Sequence, residues 1–457
     1  MAKDKLTDYS ATNASNTDIG GINIDEGMLP SAVNNALREL LTHLKEFSDG
    51  TSGIDVLSLA DDDASAAMKL QAPASVTSDT TLTLPDGDGD SGQTLITNGS
   101  GTLAWAAPYG NRNLIINGAM QVAQRATSAS AKSSAGFHVV DRFKFINNTS
   151  TGAVDIEQST TVPAGQGFGS SLKVSTSTAK ATLTGTNEFG IQQRIEGQNL
   201  QVLNHGTSSA SKATLSFWVR SNKTGTYVVW FYKEGSNRNI QRQFTISSAD
   251  TWEKKALTID GDTSGSIAND NSNELEFFIV LGTGPDRSSG TAPTAWETLD
   301  NADRYVGQTV NILDSTSNTF YLTGVQLEIG EKATPFDHSE SYGETLAKCQ
   351  RYYFKFLEGS TKEIGVAWYY TAAHASFMLR YPTTMRATPT GIDTTGTGYY
   401  TIYRNGGSDA INSITFENGS TEQYSAYNNS EASGTAGQAG LVRSTNASAK
   451  VEFDAEL

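Results

Sequence analysis

TLSFWVRS (residues 214–221), TYVVWFYKEG (226–235) and ELEFFIVLG (274–282) are the stretches on which the fold turns. In the first, Leu215, Phe217 and Val219 alternate with Ser216, Trp218 and Arg220. Successive side chains of a strand point to opposite faces, so a period of two predicts a strand with an apolar side. Both sides carry bulk, so one face should meet a second surface. SLKVST (171–176) and FYLTGVQLEIG (320–330) continue the pattern, and no amphipathic helix intervenes. Strands so spaced predict a jelly-roll-like β-sandwich over residues 110–335.

Working outward, residues 336–351 read as a charged connector and 352–457 as a separate C-terminal β domain rich in tyrosine. Upstream, PSAVNNALRELLTHLKEFSDG sets Val33, Leu37, Leu40, Leu44 and Phe47 at alternating spacings of four and three. That is a heptad seam, predicting a coiled-coil helix over 28–50 that starts at Pro30. It has under three heptads, too few for a stable lone helix, so it should pack on copies of itself. Residues 51–109 hold short apolar alternations, such as Leu57 with Leu59 and Leu82 with Leu84, between acidic and glycine-rich turns. These predict a β-rich shaft intertwined with other subunits. Residues 1–27 are small and polar and read as an extended attachment arm that needs a partner to order it. The expected whole is a mainly β homotrimeric fibre.

The chain has 457 residues, 37% of them hydrophobic, with 17 Tyr, 18 Phe and 6 Trp, which is too much aromatic mass for a disordered chain. Its formal charge of -16 argues against a nucleic-acid partner, which requires clustered Lys and Arg. Cys349, the lone cysteine, excludes an intrachain disulfide framework. No apolar run has the length of a signal peptide core or a membrane span, so the expectation is a chain made in the cytoplasm, that of the host if the chain belongs to a virus particle, without membrane insertion.

Three stretches together resemble bacteriophage tail-fibre and related virion appendage proteins. GQTLITNGSGTLAWAAP (92–108) resembles a strand–turn–strand element of fibre shafts. NLIINGAMQVAQR (113–125) with DRFKF (141–145) resembles the opening of a carbohydrate-binding-module-like β-sandwich. FYLTGVQLEIGEKATPFDHSESYGETLAKCQRYY (320–353), with the later YPTTMRATPT (381–390), resembles its end and exit. The resemblance covers about residues 92–390. It implies a virion tail protein whose N-terminal arm contacts other tail proteins and whose far end contacts a host cell-surface glycan. The residues give scaffold reasons for these phrases: Asn117-Gly118 suits a positive-φ turn, and Val325, Leu327 and Ile329 alternate with Gln326 and Glu328 to make a core face.

The five histidines are dispersed without a ligand-type pair, and no phosphate loop, dinucleotide fingerprint or GxSxG occurs, so neither metal nor cofactor is expected. The Asp86–Asp90 run invites a calcium reading but lacks the downstream bidentate Glu. A glycan-cleaving spike would need two carboxylates, and among 49 acidic residues Glu274, Glu276, Asp286 and Asp303 are not distinguished. A non-enzyme is expected, with a particle adaptor or a depolymerising spike as the alternatives. Sugar rings stack on aromatic faces, and Trp218, Trp230, Trp252 and Trp296 qualify by type in the sandwich. In the C-terminal domain the candidate receptor residues are Trp368, Tyr369, Tyr370, Tyr399, Tyr400, Tyr403 and Asn405. A strand cannot bury all of Trp368, Tyr369 and Tyr370 on one face, so some of them should be exposed.

Overall fold

The computed structural model describes residues 3–4, 8–10, 12–49, 56–60, 67–71, 81–87, 94–97, 100–106 and 113–457. The chain divides into two compact units, Met1–Ala106 and Ala107–Leu457. Strands dominate the second, the first sets short hairpins around one long helix, and all strand ladders are antiparallel among the described residues.

In the first unit β1 (Asp18–Ile19) and β2 (Ile22–Asn23) form a hairpin, followed by α1 (Pro30–Asp49). The hairpin turns at Gly20 and Gly21, both at positive φ, where a side chain would be strained. The expectation of an extended arm is corrected here. Lys3 donates through its backbone N–H to Asp18 and through its ammonium to Asn16, and the Tyr9 hydroxyl lies 2.9 Å from Nδ1 of the buried His43 on α1. The polar arm folds because its own side chains satisfy its turns and because α1 offers Ala36 and His43 as a buried floor. The adjoining stripe of α1 is bare: Val33, Leu37, Leu41, Leu44 and Phe47 are exposed, and Leu40 is half-buried at the boundary. Beyond α1, β3 (Val56–Ala60) pairs with β4 (Ala67–Gln71), and β5 (Thr94–Thr97) with β6 (Leu103–Ala106). Each hairpin closes within the chain. Most of the Asp86–Asp90 run lies outside the described residues.

The second unit opens with the sandwich. Its strands are β7 (Ser128–Lys132), β8 (Lys144–Asn147), β9 (Ala153–Ser159), β10 (Ser171–Thr178), β11 (Glu188–Glu196), β12 (Ala213–Ser221), β13 (Gly225–Lys233), β14 (Arg238–Ile246), β15 (Glu253–Ile259), β16 (Asn273–Thr283), β17 (Glu297–Thr298) and β18 (Thr319–Ile329). They form two six-stranded sheets in the orders β15-β12-β18-β10-β9-β7 and β17-β14-β13-β16-β11-β8. Leu215, Phe217 and Val219 are fully buried between them, with Phe231, Phe277, Ile279 and Leu322. At Gly324, φ +62, a bulge shifts the β12–β18 register. It changes the parity of β18, so Phe320 and Leu322 before it and Val325 and Leu327 after it all face the core. Ile329, expected on that face, is exposed.

After the capping box of Ser341 and Glu344, α2 (Tyr342–Gln350) leads into the C-terminal strands. These are β19 (Tyr353–Glu358), β20 (Glu363–Thr371), β21 (His374–Arg380), β22 (Thr390–Asp393), β23 (Tyr400–Arg404), β24 (Gly407–Ile411), β25 (Thr415–Glu417), β26 (Gln423–Asn428), β27 (Ala439–Ser444) and β28 (Lys450–Asp454). A three-stranded sheet, β19-β28-β22, and a seven-stranded sheet, β24-β23-β27-β20-β21-β26-β25, share a core that includes Phe377, Ile402, Val442 and Phe453.

The two β domains of this unit are joined by charge. Arg142, buried and at φ +72, pairs with Glu456 and donates to the Arg194 carbonyl at 2.7 Å. Arg125 bonds Asp454 at 2.9 Å and Glu456 at 3.3 Å, and Arg351 makes a two-pronged contact with the buried Glu196 at 3.0 and 2.8 Å. The Arg142 and Arg125 guanidinium groups lie 3.5 and 3.6 Å from the ring centroids of Tyr352 and Tyr353. The NLIINGAMQ and DRF phrases build the sandwich side. Asn117, φ +61 as its turn role predicts, donates to the carbonyls of Val122 and Asp141, and Asp141 accepts from Gln124. Burial pushes the Asp141 carboxyl up to about 6, and burial likewise raises the Cys349 thiol.

Candidate functional site

The site follows from the alternation of β20. Ala367 and Tyr369 are buried, whereas Val366, Trp368 and Tyr370 point outward at 67%, 42% and 73% exposure, and Ile364 is also inside because the β20–β27 register shifts between Glu363 and Gly365. The neighbouring strands extend this outer face. Trp368 stands opposite Ala439 on β27 and Ser376 on β21, and Ser376 stands opposite Tyr427 on β26. Both direct neighbours of the indole are small, so its flat faces have no bulky cross-strand cover. Beside it, the His374 imidazole stacks on Tyr427 at 4.7 Å and 16°, and Tyr370 meets His374 edge-on at 5.9 Å. Tyr403 lies on the same face, opposite Leu441, with the Arg443 guanidinium 5.3 Å from its ring. Arg443 in turn reaches Glu363 at 3.5 Å.

Not all candidate residues belong to this face. Tyr369 and Tyr400 are core residues, and this corrects their place among the receptor candidates. The Tyr369 hydroxyl donates to Asp409, which also accepts from Arg404 and the Ser433 amide at 2.8 Å each. Burial and then this bond to Asp409 push the Tyr369 phenol up to about 12. Tyr400 donates to the carbonyls of Thr394 and Lys450 at 3.1 and 3.0 Å, and burial raises it to about 12. Tyr399 is half-buried against the core, and Asn405 sits in the β23–β24 turn, where its carbonyl accepts from Gln438 at 2.7 Å. His374, Val366 and Met378 were not singled out from the sequence. The pairing register, which brings them to Trp368, has no local signal.

In the sandwich, Trp230 and Trp296 are buried. Trp230 is stacked on Tyr232 at 4.9 Å and covered by Arg304 at 4.0 Å. Trp252 meets Tyr321 edge-on at 6.1 Å, and Arg220 and Lys173, on the strands either side of Tyr321, lie 5.2 and 5.9 Å from its ring. A cleft of about 400 Å³ lies between residues 113–121 and 336–348. Its Phe336 and His338 rings pack on Phe168 at 5.0 Å, so they are engaged internally. Among the carboxylates considered for hydrolysis, Glu276 is buried against Arg194 at 2.9 Å and Asp303 accepts from the Thr291 amide. Among the described residues no cluster of three or more His, Cys, Asp or Glu side chains could hold a metal, and no helix is long and apolar enough to cross a membrane.

No known protein family and no curated protein matches the sequence. Among solved structures the chain is similar to the enzymatically active domain of tailspike protein 4 of bacteriophage CBA120, with 11% identity over 48% of this chain and 22% of that one, at a TM-score of 0.25. It is also similar to TmCBM61 in complex with β-1,4-galactotriose, with 7% identity over 48% of this chain and 100% of that one, at a TM-score of 0.25. The family 11 carbohydrate-binding module of the cellulosomal cellulase Lic26A-Cel5E of Clostridium thermocellum gives 11% identity over 45% and 98%, at 0.24. Likenesses this distant leave the reading of the site to its own side chains.

Proposed function

We propose that this chain is a non-enzymatic subunit of a bacteriophage tail fibre that attaches to a host cell-surface glycan through the outer face of the seven-stranded sheet. The observation that carries the reading is the uncovered indole of Trp368 beside Tyr370, His374 and Tyr427. Pyranose rings present C–H faces to such a platform, while Ser376 and the tyrosine hydroxyls serve the sugar's own hydroxyls. Three copies joined through the bare stripe of α1 would multiply a weak site by effective concentration. The folded arm, described at residues 3–4, 8–10 and 12–23, is then the part that meets other virion tail proteins.

The test is the double variant Trp368→Ala, Tyr370→Ala in the full-length protein. Host-cell binding should be lost while circular dichroism stays unchanged, and retained binding by the folded variant would move the receptor site elsewhere. Leu37→Asp with Leu40→Asp should dissociate the trimer in multi-angle light scattering, because seam leucines become charges without partners. A wild-type monomer at micromolar concentration would remove the trimer. A reducing-sugar assay on host polysaccharide should show no release. Removal of residues 1–27 should leave the trimer intact and abolish incorporation into particles.

A further inference from the structure

We infer that the outer face of the seven-stranded sheet selects neutral pyranoses that carry a methyl group, 6-deoxyhexoses or N-acetylhexosamines, over plain hexoses and uronates. The inference rests on the glycan-binding reading and deepens it.

The ground is what surrounds Trp368. Tyr403 stands opposite Leu441 and Leu441 opposite Val366, while the pairing of Ala367 with Phe377 sets Met378 next in line. This row of apolar side chains crosses the sheet two residues from the indole, about 7 Å along β20. Val366 is 67% exposed and Met378 39%. None of Leu441, Val366 and Met378 offers a good hydrogen bond. A sugar laid on the indole therefore points one substituent over aliphatic carbon. A hydroxymethyl group there exchanges water for no partner, whereas a methyl group gains contact.

Charge complementarity points the same way. Among the described residues, the outward side chains around Trp368 are Ala439, Leu441, Val366, Tyr370, Ser376, Met378, Ser425 and Tyr427, with His374 as the one ionisable base among them, and the Glu417 carboxylate stands opposite Ser425. The Glu363–Arg443 pair and Arg380 sit toward one end of the face, and Arg380 is four residues along β21 from Ser376, about 13 Å away. A uronate would lose water at the indole without meeting a cation. A neutral ligand avoids that cost of stripping water from a charge.

Saturation-transfer NMR and competition on the full-length protein test this with 2-hydroxyethyl glycosides of rhamnose, fucose, N-acetylglucosamine, mannose and glucuronate, so that the aglycone brings no methyl group. One or both methyl-bearing classes should bind about four- to tenfold more tightly than mannoside and glucuronide, the scale expected from burying one methyl group and leaving a hydroxyl unpaired. Saturation should be strongest on the sugar's own methyl protons. Rhamnoside and fucoside against the N-acetylglucosaminide decides which source of the methyl group is used. Val366→Thr and Met378→Gln should reduce the preference below about twofold while mannoside binding persists. Equal binding of all probes would overturn the selectivity and leave glycan binding standing. Binding of none at millimolar concentration would overturn both.

Discussion

The sandwich and the C-terminal domain are both two-sheet β structures, yet they treat their outer faces differently. The second sandwich sheet is covered by its own chain: Tyr305 and Arg304 lie over Val228, Trp230 and Phe278. The first is crossed by residues 334–337, where the Thr334 amide donates to Glu328 and the Asp337 amide to Gln326. Among the described residues no comparable segment covers Val366, Trp368 and Tyr370. Where the chain covers its own aromatics they are scaffold. Where it leaves them bare on a regular sheet, they are available to something else.

The comparison breaks first at the joint. Glu456→Ala leaves the Arg142 guanidinium buried without its carboxylate and removes one of the two carboxylates bound by Arg125. The expected cost is about 3–5 kcal/mol. Calorimetry should show one transition for the two domains of the native protein and two separate transitions for the variant. A thermogram unchanged from the native one would mean that the domains are independent.

The pH dependence of the joint should come next in size. Asp141 titrates near 6 in the folded chain against 3.8 in the unfolded one, so folding favours its neutral form. Stability from this group is therefore gained as pH falls through 6 toward 4, by about 1–3 kcal/mol. In the sandwich core Asp262 has the opposite sign. Arg238 and Lys233 at 2.9 and 3.0 Å, with backbone donors, overcome the cost of its burial and hold it down at about 2, so its contribution is lost as pH falls below 3.8. Denaturant melts at pH 7.5 and 5 should show the gain, and Asp141→Asn should remove the Asp141 part of it while leaving the part from Glu452, whose carboxyl burial pushes up to about 7. A gain unchanged in that variant would assign it to another group.

The smallest effects separate two tyrosines of one strand. Tyr400→Phe strips a buried hydroxyl from two carbonyls and should cost about 1–2 kcal/mol in urea denaturation. Tyr403→Phe, on the open face, should stay within about 0.5 kcal/mol. Equal costs would erase the distinction between scaffold and surface drawn here.

Much of this architecture is legible in residues 214–221, because a period of two states both strand and face. Parity breaks are not. The bulge at Gly324 keeps Val325 and Leu327 inside, although strict alternation from Phe320 and Leu322 would turn them out, and Ile329 escapes the rule. In Trp368-Tyr369-Tyr370 the sequence says that the three cannot share a face, but only the paired strands decide that Tyr369 is the buried one. The arm was misread because low hydrophobicity says nothing about specific polar contacts such as Tyr9 with His43. At the joint the phrases holding Arg125, Arg142 and Arg351 stand out in the sequence, but their pairing does not, since Arg142 and Glu456 are 314 positions apart.

That separation has a consequence in the order of synthesis. The ribosome finishes β18 well over a hundred residues before it delivers Glu456, an interval of about ten seconds at ordinary elongation rates. During that interval the sandwich can assemble all its strands while Arg142 and Arg125 still lack their carboxylates. A chain released early therefore carries a completed β-sandwich with unanswered positive charge at its seam, a state that solvent, proteases and chaperones can tell apart from the finished molecule.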